Sequence, residues 1–239
     1  MPAANFARAR NAEVQYGRQL RKIAAHIGHL VGGFDLGEPG MPDLIERSLR
    51  RYAEVLRPWA ERVGKRMVED VSNRDRIAWR THAQEMGKAL RQEIATAPTG
   101  AVLQEAMARQ VHYITSLPLD AAERIHKLTL QGITEGTRAA DVAREIARSG
   151  EVSKARAMLV ARTEVSRTAT LLTQARAQHV GSTGYVWRTS HDGDVRPSHK
   201  RMEGRAVLWS DEPVLDGLRG HAGTLPSCRC YPEPIIPNA

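Results

Sequence analysis

Hydrophobic residues recur every three to four positions along most of the chain, which is the spacing of one buried face of an α-helix. Over residues 6–31 this spacing predicts a first helix that begins at Phe6, with apolar positions at Val14, Leu20, Ile23, Ile27 and Leu30. Residues 35–42 are rich in Gly and Pro and predict a linker. Asp43 is then placed to cap the next helix.

The helical spacing continues over residues 43–97, 101–115, 120–136 and 138–149. Pro58 predicts a break or kink within the first of these segments, because proline removes a backbone donor. Pro118 precedes the third segment, and Ser149-Gly150 is expected to end the fourth. The expected core positions are Leu44, Ile45, Leu49, Val55, Leu56, Trp59, Trp79, Met86, Leu90, Ile94, Ile125, Leu128 and Ile133.

Residues 153–180 carry the strongest helical pattern, and Gly181 is expected to end it. Apolar residues share one face of this helix, at Met158, Ala161, Val165, Ala169, Leu172 and Ala175. Glu164 and Arg167 lie three residues apart on another face and can form an ion pair. This helix and the one before it could also form a helix-turn-helix, but its length and alanine content favour simple helix packing.

After Gly184 the pattern changes to that of short strands. Residues 185–189 and 204–209 predict two strands, with a turn over 191–194 between them. The segment from Pro213 to Pro237 contains eight Gly or Pro residues and predicts loops. The sequence therefore predicts an α+β protein, in which a long, mainly helical N-terminal region precedes a small, β-containing, loop-rich C-terminal unit.

The composition is that of a folded protein without a membrane span. Of the 239 residues 41% are hydrophobic, which excludes a wholly disordered chain, and no apolar run is long enough to cross a bilayer. The N-terminus has no apolar signal segment, so we expect synthesis and folding in a reducing cytoplasm. The chain carries 35 basic and 27 acidic residues, a net charge of +8. This surplus fits a nucleic-acid partner, although it is spread along the chain and is equally typical of an arginine-rich proteome.

The only cysteines, Cys228 and Cys230, stand one residue apart near several histidines. A disulfide at this spacing would be strained, whereas two such side chains on an extended strand lie on one face and can bind one zinc ion. In this interpretation Arg229 points away. The further zinc ligands would be His199 and His221, with His191 or Asp192 as alternatives for the fourth position. The alternative to a zinc site is that the two cysteines belong to a packed β-segment and that the histidines lie on the surface.

The same residues allow an enzymatic interpretation, in which Asp192, Asp194 and His199 activate a water molecule for phosphodiester cleavage. The chain contains no HExxH, GxSxG, P-loop or GxGxxG motif, so catalysis is disfavoured. Arg162 and Glu164 have two interpretations of their own. They are either surface residues, or they dock the long helix to the C-terminal unit.

One ordered series of motifs resembles a known family. It runs from Ala161-Arg162-Thr163-Glu164 through Trp187-Arg188-Thr189, Asp192, Val195-Arg196, His199 and Gly204 to Pro226-Ser227-Cys228-Arg229-Cys230. Over about residues 120–235 this order resembles the phage Mu F-like head morphogenesis proteins, also called minor head or minor capsid proteins. The resemblance assigns residues 117–239 to a Mu F-like domain and residues 1–116 to a variable helical region that could contact the portal. The family's characteristic residues here are Arg162, Glu164, Trp187, Asp192, Arg196, His199, Gly204, Cys228 and Cys230.

The resemblance implies a non-enzymatic virion protein that lies inside the phage head and is made in the bacterial cytoplasm. Its expected partners are the portal protein, other head proteins and double-stranded DNA bound without sequence preference. Its expected role is head morphogenesis, with DNA packaging or delivery. The alternatives are a DNA-binding module and a metal-dependent nuclease or transferase. A single structural zinc is the one expected cofactor, and the oligomeric state stays open.

Overall fold

A computed structural model describes residues 9–34, 40–82 and 88–237 of the chain. The predicted helix start at Phe6, the linker residues 35–39, Met86 and the side chain of Leu90 lie outside the described residues. The helices are α1 (Arg10–Gly32), α2 (Met41–His82), α3 (Lys88–Thr96), α4 (Gly100–Glu135), α5 (Ala139–Ala147), α6 (Ser149–His179) and α7 (Pro197–Lys200). The strands are β1 (Gly184–Thr189), β2 (Ala206–Leu208), β3 (Val214–Leu215), β4 (Leu218–Arg219) and β5 (Cys230–Ile235).

The structure confirms the α+β class, with 70% helix and a small sheet-containing C-terminal part. Within the described residues no helix is both long and apolar enough to span a bilayer. The chain forms two compact units, and neither is continuous in sequence. The sheet unit comprises Met1–Glu13, Lys65–Met107 and Arg162–Ala239, and the helical unit comprises Val14–Gly64 and Ala108–Ala161.

Both prolines that were expected to interrupt helices lie inside them. Helix α2 continues through Pro58, so the break that was the first of the two predicted alternatives, break or kink, is wrong. Helix α4 continues through Pro118, so the helix start predicted at residue 120 is also wrong. In α2 the buried residues Leu56 and Ala60 flank the proline, and in α4 Leu117 and Ala121 do the same. Burial on both sides of each proline offsets the lost backbone hydrogen bond, because most helical stability in proteins comes from packing.

The apolar faces of the helices are narrower than the spacing predicted. Val14, Val55 and Ile133 are 41%, 66% and 75% exposed, and Leu44 is also exposed. Their neighbours on the buried stripe, such as Leu20, Ile45, Leu56 and Ile125, are buried as expected. A residue one position along a helix points about 100° away, so an apolar residue beside the stripe faces water.

Two glycines allow a close approach within the helical unit. Gly150 was expected to end a helix, yet α5 ends at Ala147 and Gly150 is the second residue of α6. A Cβ atom on Gly150 would lie 2.8 Å from the Cα atom of Gly28 in α1. Gly150 is therefore explained by packing of the two helices rather than by chain termination.

A three-stranded antiparallel sheet in the order β2-β1-β5 organises the sheet unit, and β3 and β4 form a separate hairpin. The predicted strands correspond to β1 and β2, whereas β3, β4 and β5 fall in the segment predicted as loops. Strand β5 contains Pro232 and Pro234, which pair with Trp187 and Tyr185 of β1. Prolines fit this strand because it lies at an edge of the sheet, where alternate backbone nitrogens need no partner.

Helix α6 is buried on more than one face. Alongside Ala161, Val165 and Leu172 it buries a set of polar side chains: Thr163, Glu164, Ser166, Thr168, Thr170, Thr173 and Arg176. The sequence analysis assigned only the apolar face of this helix to the core and did not predict the burial of these polar residues. Within the sheet unit these side chains need internal hydrogen-bond partners, and several of the partners lie in the C-terminal segment.

Candidate metal centre

Two parts of the sheet unit place three metal-binding side chains together. His199 lies in the short helix α7, Cys228 lies in the loop before β5, and Cys230 is the first residue of β5. Cys230 pairs with Thr189 at the end of β1, which anchors the Cys-x-Cys segment to the sheet. Because side chains alternate along an extended chain, both cysteines turn to the same side.

The donor atoms of these three residues all lie within 4.8 Å of one another. The His199 Nδ1 atom is 3.4 Å from the Cys228 sulfur and 3.5 Å from the Cys230 sulfur. Each of the three residues is only 1% exposed. The group, which we call the Cys2His cluster, is therefore a buried set of soft and imidazole donors that could hold a metal ion.

The two thiols perturb each other's proton affinity. A hydrogen bond from Cys230 lowers the pKa of Cys228, to which His199 and the backbone N–H of Gly223 contribute. The same hydrogen bond, together with burial, raises the pKa of Cys230. Of the two sulfurs, Cys228 is therefore the one that more readily becomes a thiolate.

Apolar residues enclose the Cys2His cluster. The Trp187 ring packs edge-on against the His199 ring, with 5.6 Å between the centroids and 81° between the planes. Trp187, Ala222 and Leu225 belong to the same buried core as the two cysteines. The Gly223 N–H group donates a hydrogen bond of 3.4 Å to the Cys228 sulfur. Such a shell excludes water and strengthens electrostatic interactions with a thiolate.

Arg229 points away from the cluster, as the strand interpretation requires. Its guanidinium forms ion pairs with Asp192 and, at 2.8 Å, with Asp194. Asp192 also accepts hydrogen bonds from the Ser190 hydroxyl at 2.9 Å and from the Asp194 N–H at 3.2 Å. Asp192 therefore organises the loop after β1 and is not part of the Cys2His cluster.

The other histidines proposed as ligands lie apart from the cluster. His221 is buried, with its Nδ1 atom 3.2 Å from the Tyr185 hydroxyl and its Nε2 atom 3.9 Å from Glu212. Burial lowers the pKa of His221. The His191 side chain is 71% exposed and its Nε2 atom lies 3.7 Å from Glu203. Of the predicted metal ligands, the structure thus brings together His199, Cys228 and Cys230.

Helix α6 holds the loop that carries Cys228 through a polar stripe that sequence reasoning missed. The Thr170 hydroxyl donates to the carbonyl of Ala222 at 2.8 Å, and Arg167 donates to the carbonyl of Thr224 at 2.9 Å. The Thr163 hydroxyl accepts from the N–H of Ser227 at 3.0 Å. Residues 163, 167 and 170 follow the spacing i, i+4, i+7, and this polar pattern in an alanine-rich helix is the signal that could have revealed the contact.

The remaining family residues have structural roles close to these contacts. Arg162 pairs with Glu13 at 3.4 Å, whereas the buried Glu164 pairs with Arg167 at 3.1 Å, as the spacing predicted. The side chain of this group that donates to the C-terminal segment is that of Arg167, which was not one of the two residues considered for docking. Arg196 donates a hydrogen bond to the carbonyl of Pro226. Gly204 has a φ of +77°, a conformation that glycine adopts without strain, and its N–H donates to the carbonyl of Trp187 at 2.9 Å.

A buried ion pair lies beside this region, within the sheet unit. Arg176 of α6 contacts Asp75 of α2 at 2.7 Å and donates to the carbonyl of Ile94 at 3.2 Å. Thr173 donates to the same carboxylate at 2.9 Å. The pair joins three helical segments of the unit and is almost fully excluded from water.

Two curated relatives match part of the chain. An uncharacterised protein of Haemophilus influenzae is 30% identical over 131 residues, which are 55% of this chain and 29% of that protein. A protein of Enterococcus faecalis named NAD(+)–arginine ADP-ribosyltransferase EFV is 27% identical over 131 residues, which are 49% of this chain and 26% of that protein. The chain therefore spans less than a third of the length of either relative. No solved structure is significantly similar to the chain.

The family comparison matches the segment that contains the Cys2His cluster. The sequence model of the family described as Phage Mu protein F like protein matches residues 123–232. These bounds include the last third of α4, all of α5 and α6, and the sheet up to the first half of β5 with both cysteines. They lie close to the segment of residues 120–235 that the motifs indicated. The match confirms the resemblance over residues 123–232, which are similar to the family described as Phage Mu protein F like protein.

Proposed function

We propose that the chain is a minor head protein that lies inside the phage head and acts in head morphogenesis and in DNA packaging or delivery. The observation that carries this proposal is the family match over residues 123–232. The portal protein and other head proteins are the partners that such a role requires. We infer a structural role in the particle without turnover of a substrate.

The location is tested by quantitative mass spectrometry of purified procapsids and virions of the phage that encodes the chain. A head-interior protein is expected in both fractions in fewer copies than the major capsid protein, protected from protease until the particles are opened. Its absence from both fractions would contradict the proposal. Portal contact is tested by co-purification of tagged portal with the chain, with the major capsid protein as the comparison bait.

The burial of the Cys2His cluster supports a structural centre over a catalytic one. Three protein ligands with an open fourth position are typical of catalytic zinc, which must exchange water and substrate. Each donor residue here is only 1% exposed, so a substrate could reach the centre only if the surrounding core opened. The activity named for the Enterococcus faecalis relative belongs to a protein of which the chain matches 26%.

We further propose that His199, Cys228 and Cys230 hold one structural zinc ion. With zinc–sulfur and zinc–nitrogen bonds of about 2.3 and 2.0 Å, a tetrahedral site separates nitrogen from sulfur by about 3.5 Å. The observed separations from the His199 Nδ1 atom are 3.4 and 3.5 Å. Bound zinc would supply a cross-link between α7 and the Cys-x-Cys segment. The lowered pKa of Cys228 favours the thiolate that such binding needs.

The zinc proposal is tested by elemental mass spectrometry of purified protein, with thiol titration in parallel. One zinc per chain is expected, and both thiols should react only after a chelator has removed the metal. Natively folded protein that takes up no zinc when the metal is supplied, and in which both thiols react before any chelator is added, would refute the zinc site. The head-protein proposal does not depend on this result.

The net charge of +8 favours a second, compatible function, which is DNA binding without sequence preference. We expect the affinity for double-stranded DNA to fall steeply between about 50 and 200 mM salt, since each phosphate contact releases counterions. Fluorescence anisotropy on two duplexes of equal length and different base composition checks this. Equal affinities support nonspecific binding, and no binding at the lowest salt concentration contradicts it.

A further inference from the structure

We propose that Asp216 is the outer-shell acceptor that orients His199 in the Cys2His cluster. This inference rests on the proposed zinc site and assigns a role to a residue outside the family motif. It follows from three observations: the turn that carries Asp216, the unused nitrogen of His199, and the contacts that hold the Asp216 carboxylate.

A tight turn presents Asp216 at the tip of the β3–β4 hairpin. Asp216 and Gly217 stand between the paired residues Leu215 and Leu218, and their φ angles are +54° and +77°. Two successive residues with positive φ are the mark of a type I′ turn, for which Asp-Gly is a preferred sequence. The hairpin therefore has a defined conformation, and the position of Asp216 is set by it.

His199 has one ring nitrogen toward the sulfurs and one available for an outer-shell contact. Its Nδ1 atom lies 3.4 and 3.5 Å from the two sulfurs, so metal bound there leaves the proton on Nε2. The Nε2 atom is buried, and among the described residues no hydrogen-bond partner lies within bonding distance. The Oδ2 atom of Asp216 lies 4.0 Å from it. Histidines that bind metals usually donate this second N–H group to a carboxylate or a carbonyl group.

Other side chains hold the Asp216 carboxylate on this side of α7. The Ser198 hydroxyl donates a hydrogen bond of 2.8 Å to the same Oδ2 atom. Arg196 places its Nη1 atom 3.7 Å from it. Ser198 and Arg196 thus hold the Asp216 carboxyl group beside the His199 ring. A shift of about 1 Å in the hairpin would convert the 4.0 Å separation into a hydrogen bond.

Asp216 is therefore a positioning residue, which acts on the metal through His199. A carboxylate on Nε2 fixes the tautomer and the ring orientation and makes Nδ1 a stronger donor. The loss of such a partner typically weakens metal binding by about 10- to 100-fold.

The test measures Co²⁺ affinity of the whole chain by chelator competition, with absorption spectra of the Co²⁺-loaded protein. Asp216→Gly removes the carboxylate and suits the positive φ of the turn. Asp216→Asn keeps an amide oxygen that can accept a hydrogen bond. Asp211→Gly is the matched control, because this exposed aspartate lies in the same unit and is absent from the cluster.

We expect Asp216→Gly to weaken Co²⁺ binding about 10- to 100-fold, Asp216→Asn to weaken it less, and Asp211→Gly to leave it unchanged. At saturation the thiolate-to-cobalt bands should keep their intensity in all variants, because both sulfurs remain ligands. Wild-type affinity in Asp216→Gly and Asp216→Asn would overturn the inference. If Asp216→Gly fails to fold, the Co²⁺ affinity of Asp216→Asn compared with that of the wild-type chain decides whether Asp216 orients His199. Failure of the wild-type chain to bind Co²⁺ would instead overturn the metal site itself.

Discussion

A methyl group at residue 223 should disrupt the contact between helix α6 and the loop that carries Cys228. Gly223 has a φ of +88°, and a Cβ atom there would lie 2.4 Å from the Thr170 hydroxyl oxygen. The same Cβ atom would lie 3.2 Å from the carbonyl oxygen of Cys230. Gly223→Ala therefore combines a strained backbone with a steric clash inside the core.

The two effects have separate magnitudes. A left-handed conformation costs an alanine about 1–2 kcal/mol. The clash displaces the Thr170 hydroxyl, which donates to the carbonyl of Ala222 at 2.8 Å and belongs to a residue that is 2% exposed. A buried hydrogen bond lost in this way costs about 1–3 kcal/mol. We therefore expect Gly223→Ala to lower the free energy of unfolding by about 2–5 kcal/mol.

Gly204→Ala is the matched control, because Gly204 also has a positive φ, of +77°, but no atom lies within 4 Å of its added Cβ. It should cost only the backbone strain of about 1–2 kcal/mol. Urea denaturation of metal-free protein, followed by circular dichroism, measures both variants without a contribution from bound ion. In a Thr170→Ala background the cost of Gly223→Ala should fall toward that of Gly204→Ala.

The reasoning would be refuted if Gly223→Ala were no more destabilising than Gly204→Ala, or if Thr170→Ala gave no relief. Either result would mean that α6 and the cysteine loop are not in the close contact described. An unchanged denaturant slope in all variants is required for the comparison, since a changed slope would indicate an altered unfolded or native state.

Other substitutions test the metal centre, the buried ion pair and the helical unit. Cys228→Ser should abolish stoichiometric zinc binding, which elemental mass spectrometry measures, and retained zinc would contradict the ligand assignment. In a thermal scan its unfolding midpoint should lie below that of the metal-loaded wild-type protein. Arg176→Met should cost about 3–5 kcal/mol in urea denaturation, because Asp75 is left buried without its cation, and adding Asp75→Leu should recover part of this loss. Gly150→Ala should destabilise the chain although alanine favours helices, since its Cβ would lie 2.8 Å from the facing backbone of α1. Gly32→Ala, in open space in the same unit, should be neutral or stabilising by up to about 1 kcal/mol in the same denaturation experiment.

Hydrophobic spacing predicted the elements whose two sides differ in polarity. Helix α1 and strand β1 each have a clear apolar set, and the sequence located the end of α1 and both ends of β1 to within a few residues. The spacing could not show that α2 and α4 continue through Pro58 and Pro118, because the compensating burial comes from residues distant in sequence. It also placed β5 among loops, since its two prolines are acceptable only at a sheet edge, and edge position depends on pairing.

The polar face of α6 marks the limit of amphipathic reasoning for this domain. Thr163, Arg167 and Thr170 look like solvent-facing positions, yet each bonds to the backbone of the segment that carries the cysteines. A loop needs partners for its peptide groups when it is buried, and a helix can supply them only with polar side chains. In a loop-rich unit, polar residues at helical spacing are therefore as informative about packing as apolar ones.

The Cys2His cluster shows which part of a site local sequence can specify. The alternation of an extended chain places Cys228 and Cys230 on one side and Arg229 on the other, and this follows from a three-residue segment alone. The choice of His199 over His221 does not follow from it, since His199 reaches the sulfurs from α7, a separate segment of the chain. Short-range geometry thus identified two of the donors, whereas the third depends on packing between distant segments. If zinc binds as proposed, its binding energy would join those segments and would contribute directly to folding.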